Sequence, residues 1–276
     1  GQAVGVVTND QAEDLVDTRT LAAHGHDVGE VAGACFCCNF DELLNQVASL
    51  AKRRDPDVLL AEPVGSCTDL AATVVQPLKQ MYAERFTIAP LAVLLKPTHA
   101  RQVLLDEPGG LTRGSAYILR KQLEEADAIV INRIDELTGD EIHTLTEAAE
   151  RTFPGTPLLR TSAVTGEGVD ALIKLLETGG ESGRRLLDID YDLYAAGEAE
   201  MGWLNASATV SFDGPASLDE LTVGVVDSIA QRLKQRTAEP AHVKVIARGG
   251  EAYAVANLIA SESQPVLSVS SGAEAA

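Results

Sequence analysis

Ala128-Ile129-Val130-Ile131-Asn132-Arg133-Ile134-Asp135 is the stretch whose reading decides the fold. Four apolar residues follow one another without alternation and stop at a polar turn. Such a run reads as a short strand covered on both faces, because a half-exposed strand would alternate. The same pattern recurs outward in both directions, over residues 3–10, 57–62, 88–95 and 157–161. Between these runs the apolar residues recur at helical spacing, over 41–54, 68–82, 114–126, 140–153 and 169–176. In the first of these helices Leu43, Leu44, Val47, Leu50 and Ala51 share a face, and Lys52, Arg53 and Arg54 suit the negative end of the helix dipole. Pro77 should kink or split the second. The residues between the first strand and the cysteines read as loop, and 96–110 has no clear period.

Strands alternating with helices imply an α/β fold, a mostly parallel sheet covered by helices. Ligands of such sheets gather beyond the carboxyl ends of the strands. Asn9, Glu62, Asn132 and Ser162 all lie at or just after strand ends. We therefore expect one α/β domain over 1–178, a Gly/Ser-rich linker over 179–187, and a smaller α+β domain over 188–276. In that second domain strands are expected over 202–212, 242–248, 252–260 and 266–270, with a long helix over 217–236. Trp203, the one tryptophan, reads as a packing anchor.

The bulk numbers narrow the class. The 276 residues suffice for two domains, and 45% hydrophobic with only 4% aromatic residues means an aliphatic core. A formal charge of −19 argues against nucleic-acid binding, which needs a basic face. No apolar run approaches the roughly 20 residues of a membrane span, and no signal peptide is visible. A cluster of thiols suits a reducing compartment, so a cytoplasmic location is expected. The chain runs from Gly1 straight into a strand, and a preceding N-terminal piece is expected.

Three of the four cysteines fall within four positions, Cys35-Phe36-Cys37-Cys38, and the fourth, Cys67, follows Glu62-Pro63-Val64-Gly65-Ser66. Packing alone does not require clustering. Adjacent Cys37 and Cys38 are poorly placed to bridge each other. Cys35, Cys37 and Cys38 could instead present thiolates to a tetrahedral ion such as zinc, with a fourth place left for another group. His24, His26 and Cys67 are further candidates for that place. Buried apolar packing of the thiols is the plainer alternative.

Asn132-Arg133-Ile134-Asp135 looks like the guanine-selecting Asn-Lys-x-Asp motif. A carboxylate at Asp135 can accept from the guanine N1–H and exocyclic amine, a donor pair that adenine does not offer. Asn132 would brace the loop, and Arg133 could lie flat on the base. Thr161-Ser162-Ala163-Val164-Thr165-Gly166-Glu167-Gly168 resembles the second base-contacting loop, where backbone N–H groups reach the base carbonyl. A Gly-x-x-x-x-Gly-Lys-Ser/Thr phosphate loop should precede both and is absent from these residues. The spacing from Gly109 to Gly114-Ser115 mimics it but lacks the Lys.

Together these residues resemble the metal-trafficking GTPases of the CobW, HypB and UreG type. The resemblance rests on Cys35-Phe36-Cys37-Cys38, on Glu62-Pro63-Val64-Gly65, on Asn132-Arg133-Ile134-Asp135, and on Asn9-Asp10 followed by Asp17 as a switch segment. It covers roughly residues 1–178. Ala34 stands where the family has Gly, and Arg133 where it has Lys. The resemblance implies a GTP-hydrolysing metallochaperone with a P-loop NTPase-like G domain. GTP would be held by Asn132, Arg133, Asp135, Ser162 and Ala163, and Mg²⁺ near Asn9, Asp10, Asp17 and Glu62, with Glu62 as the catalytic residue. Zn²⁺ or another transition metal would sit on Cys35, Cys37 and Cys38. The partner would be a client metalloprotein or a cofactor-synthesis enzyme, and homodimer formation is left open. The alternatives are a metal-binding degenerate GTPase without hydrolysis, and a thiol redox or structural-zinc protein.

Overall fold

The computed structural model describes residues 2–10, 15–178, 182–260, 263–272 and 274–275. In chain order the elements begin with β1 (Val4–Asp10), α1 (Val16–Ala23), β2 (Asp27–Ala32), α2 (Phe40–Arg54) and β3 (Val58–Glu62). A π-helical turn (Ala71–Val75) leads into α3 (Gln76–Met81), followed by β4 (Ala92–Leu95), α4 (Pro97–Leu105), α5 (Arg113–Glu125) and β5 (Ala128–Ile131). Next come α6 (Gly139–Thr152), β6 (Leu158–Arg160), α7 (Val169–Thr178) and α8 (Tyr191–Ala199). The remainder is β7 (Ala216–Ser217), α9 (Leu218–Gln235), β8 (Val243–Gly249), β9 (Ala252–Leu258), β10 (Val266–Val269) and β11 (Glu274–Ala275).

The chain forms two compact units, residues 1–13 with 27–203, and residues 14–26 with 204–276. The first carries two parallel three-stranded sheets, in the orders β2-β1-β3 and β4-β5-β6. All six strands are parallel and the α/β reading stands. One core cluster packs β4–β6 against α4–α6, with Leu95, Leu123, Ile131 and Leu145 almost wholly buried. A second packs the first sheet against α2 through Val7, Val31, Leu43, Leu50 and Phe36.

Local chemistry sets the helix ends. Asp41 and Glu42 open α2 and Lys52, Arg53 and Arg54 close it, each charge favourable to the helix dipole. α6 opens on a reciprocal capping box between Thr138 and Glu141. Pro77 lies in the first turn of α3, so the helix expected over 68–82 is divided there, with the wider turn ahead of it.

Several expectations are corrected. The stretch after β1 was expected to be loop, but it holds α1 and β2. Their periods are short and mixed with polar residues, and each is recognised only by what it packs on. The strand expected over 88–95 pairs only at Ala92–Leu95, after Pro90, which has no N–H to donate. Residues 96–110 contain α4. No strand forms over 202–212: Leu204, Val210 and Phe212 alternate but are exposed. Alternation defines a face and does not supply a neighbouring strand.

The stretch expected as a linker at 179–187 lies partly outside the described residues, at 179–181. From Ser182 on it is bonded into the first unit. Asp127 accepts from Gly183 N–H at 2.7 Å, Ser182 donates to the Ile88 carbonyl at 3.0 Å, and Arg185 donates to Thr156. α8 follows in the same unit and crosses α5 where Gly114 meets Gly197. A Cβ on Gly114 would sit 2.5 Å from the Gly197 Cα.

The second unit is α+β. Its sheet is antiparallel, in the order β10-β9-β8, with α9 packed on it through Val226, Ala256 and Leu258. β11 pairs with β7. α1 belongs here: Lys244 donates to Asp17, and His24 meets the Tyr253 ring edge-on at 6.0 Å. Among the described residues no helix is long and apolar enough to cross a membrane.

Candidate functional site

β2 ends at Ala32, and the chain turns at Gly33, whose φ of +79° suits a residue without a Cβ. Cys35 begins a tight turn in which its carbonyl accepts from the N–H groups of Cys38 and Asn39, both at 3.0 Å. α2 starts directly after. The turn brings the sulfurs of Cys35, Cys37 and Cys38 within 4.8 Å of one another. Cys35 and Cys37 are half-buried and Cys38 is exposed.

Asn9 holds this turn. It is buried at the end of β1 and spends its whole amide on the cysteine segment. Nδ2 donates to the Val31 carbonyl at 2.8 Å and to the Ala34 carbonyl at 2.7 Å, and Oδ1 accepts from the Phe36 N–H at 3.0 Å. Phe36, 2% exposed, anchors the turn in the core between the half-buried Cys35 and Cys37.

Protons sit firmly on two of the sulfurs, those of Cys35 and Cys37. Burial pushes the Cys35 thiol up to about 12, helped by hydrogen bonds with Cys37 and Cys38. Cys37 is raised first by its hydrogen bond with Cys67 and then by burial. An arriving metal has to displace those protons, so loading releases acid. The donor set fits a soft ion. Zinc–thiolate bonds of about 2.3 Å put tetrahedral sulfurs about 3.8 Å apart. Cys37 and Cys38 already stand 3.9 Å apart, whereas Cys35 and Cys37, at 2.6 Å, must open.

Glu62 ends β3 in register with Thr8 and is exposed. The loop after it is held from several sides. Gln122 on α5 donates to the Gly65 and Cys67 carbonyls at 3.0 and 2.8 Å. Ser66 donates to Glu198 of α8 at 2.6 Å, and Tyr191 of α8 donates to Asp69 at 2.8 Å. Glu125, 1% exposed, accepts from the Ala71 N–H at 3.1 Å. Burial outweighs that bond and raises its carboxyl to about 7. None of α8's contacts, nor the role of Glu125, was legible in sequence, since each spans more than fifty residues.

The second loop pair forms at the ends of β5 and β6. Asn132 Oδ1 accepts from Thr161 Oγ1 at 3.1 Å and from the Ala163 N–H at 3.2 Å, joining the two loops. Arg133 stands at φ +65° and pairs with Glu136. Asp135 is exposed in the short 3₁₀ turn Ile134–Glu136. Ser162 is fully buried, and its Oγ accepts from the Thr165 N–H at 3.1 Å. Gly168, at φ +73°, lets the loop fold back; a Cβ there would lie 1.9 Å from the Arg160 carbonyl oxygen. Asn132 thus ties the loop that carries Ala163 to the loop that carries Asp135.

The remaining candidates are placed as follows. The Asp10 side chain lies outside the described residues. Asp17 is on α1 in the second unit, paired with Lys244. His24 is engaged there too, by the Thr20 carbonyl at 2.8 Å and the Tyr253 hydroxyl at 3.2 Å. His26 is exposed in that unit. In the first turn of α4, His99 is held neutral, lowered to about 4 by burial and by Lys96.

No curated protein matches the chain. Among solved structures, the hydrogenase maturation factor HypB from Archaeoglobus fulgidus is similar at 17% identity and a TM-score of 0.43, over 64% of this chain and 75% of that one. The Zn(II)-bound YjiA GTPase from E. coli is similar at 14% identity and a TM-score of 0.38, over 100% of this chain and 91% of that one. The model of the CobW/HypB/UreG nucleotide-binding domain matches residues 1–160. The chain belongs to the CobW/HypB/UreG family.

Proposed function

We propose that this protein is a GTP-hydrolysing metal carrier. It binds a guanine nucleotide through Asn132, Arg133, Asp135, Ser162 and Ala163, with Mg²⁺ near Asn9, Asp10 and Glu62. Glu62 orients the attacking water. Zn²⁺ or a similar soft ion rides on Cys35, Cys37 and Cys38 and passes to a client metalloprotein or a cofactor-synthesis enzyme in the cytoplasm. A homodimeric state belongs to the same reading.

The observation that carries it is the convergence at the carboxyl ends of β1 and β3. Asn9 supports the cysteine turn through three hydrogen bonds, and its neighbour Thr8 is in register with Glu62. A change of ligand at one strand end therefore acts on the backbone that carries the thiols. The test is metal analysis with nucleotide titration on the full-length protein, with and without zinc. Cys37→Ala should lose stoichiometric tight metal and still bind GDP. Asp135→Asn should shift preference from guanine to xanthine nucleotides. Unchanged metal content in the first variant, or unchanged nucleotide preference in the second, refutes the corresponding half.

A further inference from the structure

Arg133 is held twice by one neighbour. The Glu136 N–H donates to the Arg133 carbonyl at 3.1 Å and closes the turn after β5. The Glu136 carboxylate takes the Arg133 side chain: Nε donates to Oε1 at 3.1 Å, and Nη2 donates to the same oxygen. Arg133 also stands at φ +65°, in the left-handed region that a residue with a Cβ seldom adopts. Backbone strain of this kind persists where the surrounding structure fixes it, and it gathers at ligand sites. Asp135 lies between the two partners in the chain and is exposed. The Arg133 side chain is 28% exposed and that of Glu136 46%, so solvent reaches the pair. An ion pair so placed adds little to folding stability, and its use has to be sought elsewhere.

We propose that Glu136 is a positioning residue for the nucleotide: it fixes the plane of the Arg133 guanidinium so that a flat face is presented to the purine ring. This rests on the proposed binding of a guanine nucleotide at this turn. Nε and Nη2 lie on one edge of the guanidinium, and hydrogen bonds from that edge run in its plane. A carboxylate seated there consumes no stacking surface. It removes rotation about the last bonds of a long side chain, freedom that would otherwise be lost on binding. A lysine ammonium has no plane to orient, so a carboxylate three residues on has this role only because Arg stands at 133. One turn then meets the base from two directions, Asp135 at its edge and Arg133 on its face.

Nucleotide titration of the full-length protein tests this, with GDP and inosine diphosphate as probes. Glu136→Ala should weaken both by roughly fivefold, the scale of an oriented cation over a ring. Their ratio should not move, because a face contact does not read the exocyclic amine that separates the two bases. Glu136→Gln keeps Oε1 as an acceptor and should recover most of the loss. In an Arg133→Lys background the same Glu136→Ala change should alter affinity less than about twofold. Thermal melts without nucleotide keep a folding defect separate.

Equal losses in both backgrounds would mean that Glu136 acts through the backbone turn alone. Tighter GDP binding by Glu136→Ala would mean that Glu136 holds Arg133 off the base. Either result, or no loss at all, overturns the assignment while guanine binding stands. If wild type binds neither nucleotide, the nucleotide reading falls and this assignment with it.

Discussion

The two sheets of the first unit are built alike and behave differently at their ends. β5 is buried along its whole length, between β4 and β6 and under helices. β3 is half-buried at its start and exposed over its last three residues, with Leu60 at 47%. The loops after β5 and β6 are tied to each other by one amide, Asn132. The loops after β2 and β3 carry the thiols, and their supports come from Asn9, α5 and α8. The contrast separates a rigid frame from an edge whose loops are held by polar contacts that can be exchanged. Sites that must load and release belong on the second kind.

The largest expected effect tests the frame. Ile131→Ala, at a fully buried position of β5, should cost about 3–4 kcal/mol in urea unfolding, whereas Leu60→Ala on β3 should cost less than about 0.5 kcal/mol. Equal costs would erase the distinction.

Glu125 comes next. Its carboxyl is raised from 4.5 to about 7 in the folded protein. The native state thus prefers the protonated form, and stability falls as pH rises from about 4.5 through 7, by roughly 3 kcal/mol. Glu125→Gln keeps an acceptor for the Ala71 N–H and should flatten that stretch of the pH profile. A parallel profile in the variant would remove Glu125 as its source.

Asn9→Ala should cost about 2 kcal/mol, because it leaves buried carbonyls and the Phe36 N–H without their partner. Amide exchange should accelerate at Phe36 and stay unchanged at Ala163. Asn132→Ala should do the reverse. Crossed effects would mean that the two edges are one unit.

The smallest is Thr138→Ala, which removes the capping box of α6 for about 1 kcal/mol and should leave the cysteine turn untouched. Circular-dichroism melts and metal uptake check both halves.

Much of the frame was legible beforehand. Unbroken apolar runs marked β3 and β5, and helical spacing marked α2, α5, α6 and α9, because the pattern and the burial that produces it are both local. α1 and β2 were missed for the opposite reason. α1 has no buried residue of its own and is held by Lys244 and Tyr253 from more than two hundred residues away. The exposed alternation of 202–212 misled in the other direction, since it marks a strand without naming its partner. At the candidate site the residue types could be read, and their supports could not.

By itself, the sequence determined that the strands are buried on both faces, where most helices begin and end, and that soft donors are clustered in one turn. These properties follow from residue chemistry within a few positions. Only the tertiary structure decided that Cys67 is buried in the same core cluster as Phe36, that Asn9 holds the cysteine turn, and that α1 leaves the unit of its neighbours in sequence. Those are choices of partner between distant segments, settled by which surfaces exclude water together, and no local period records them.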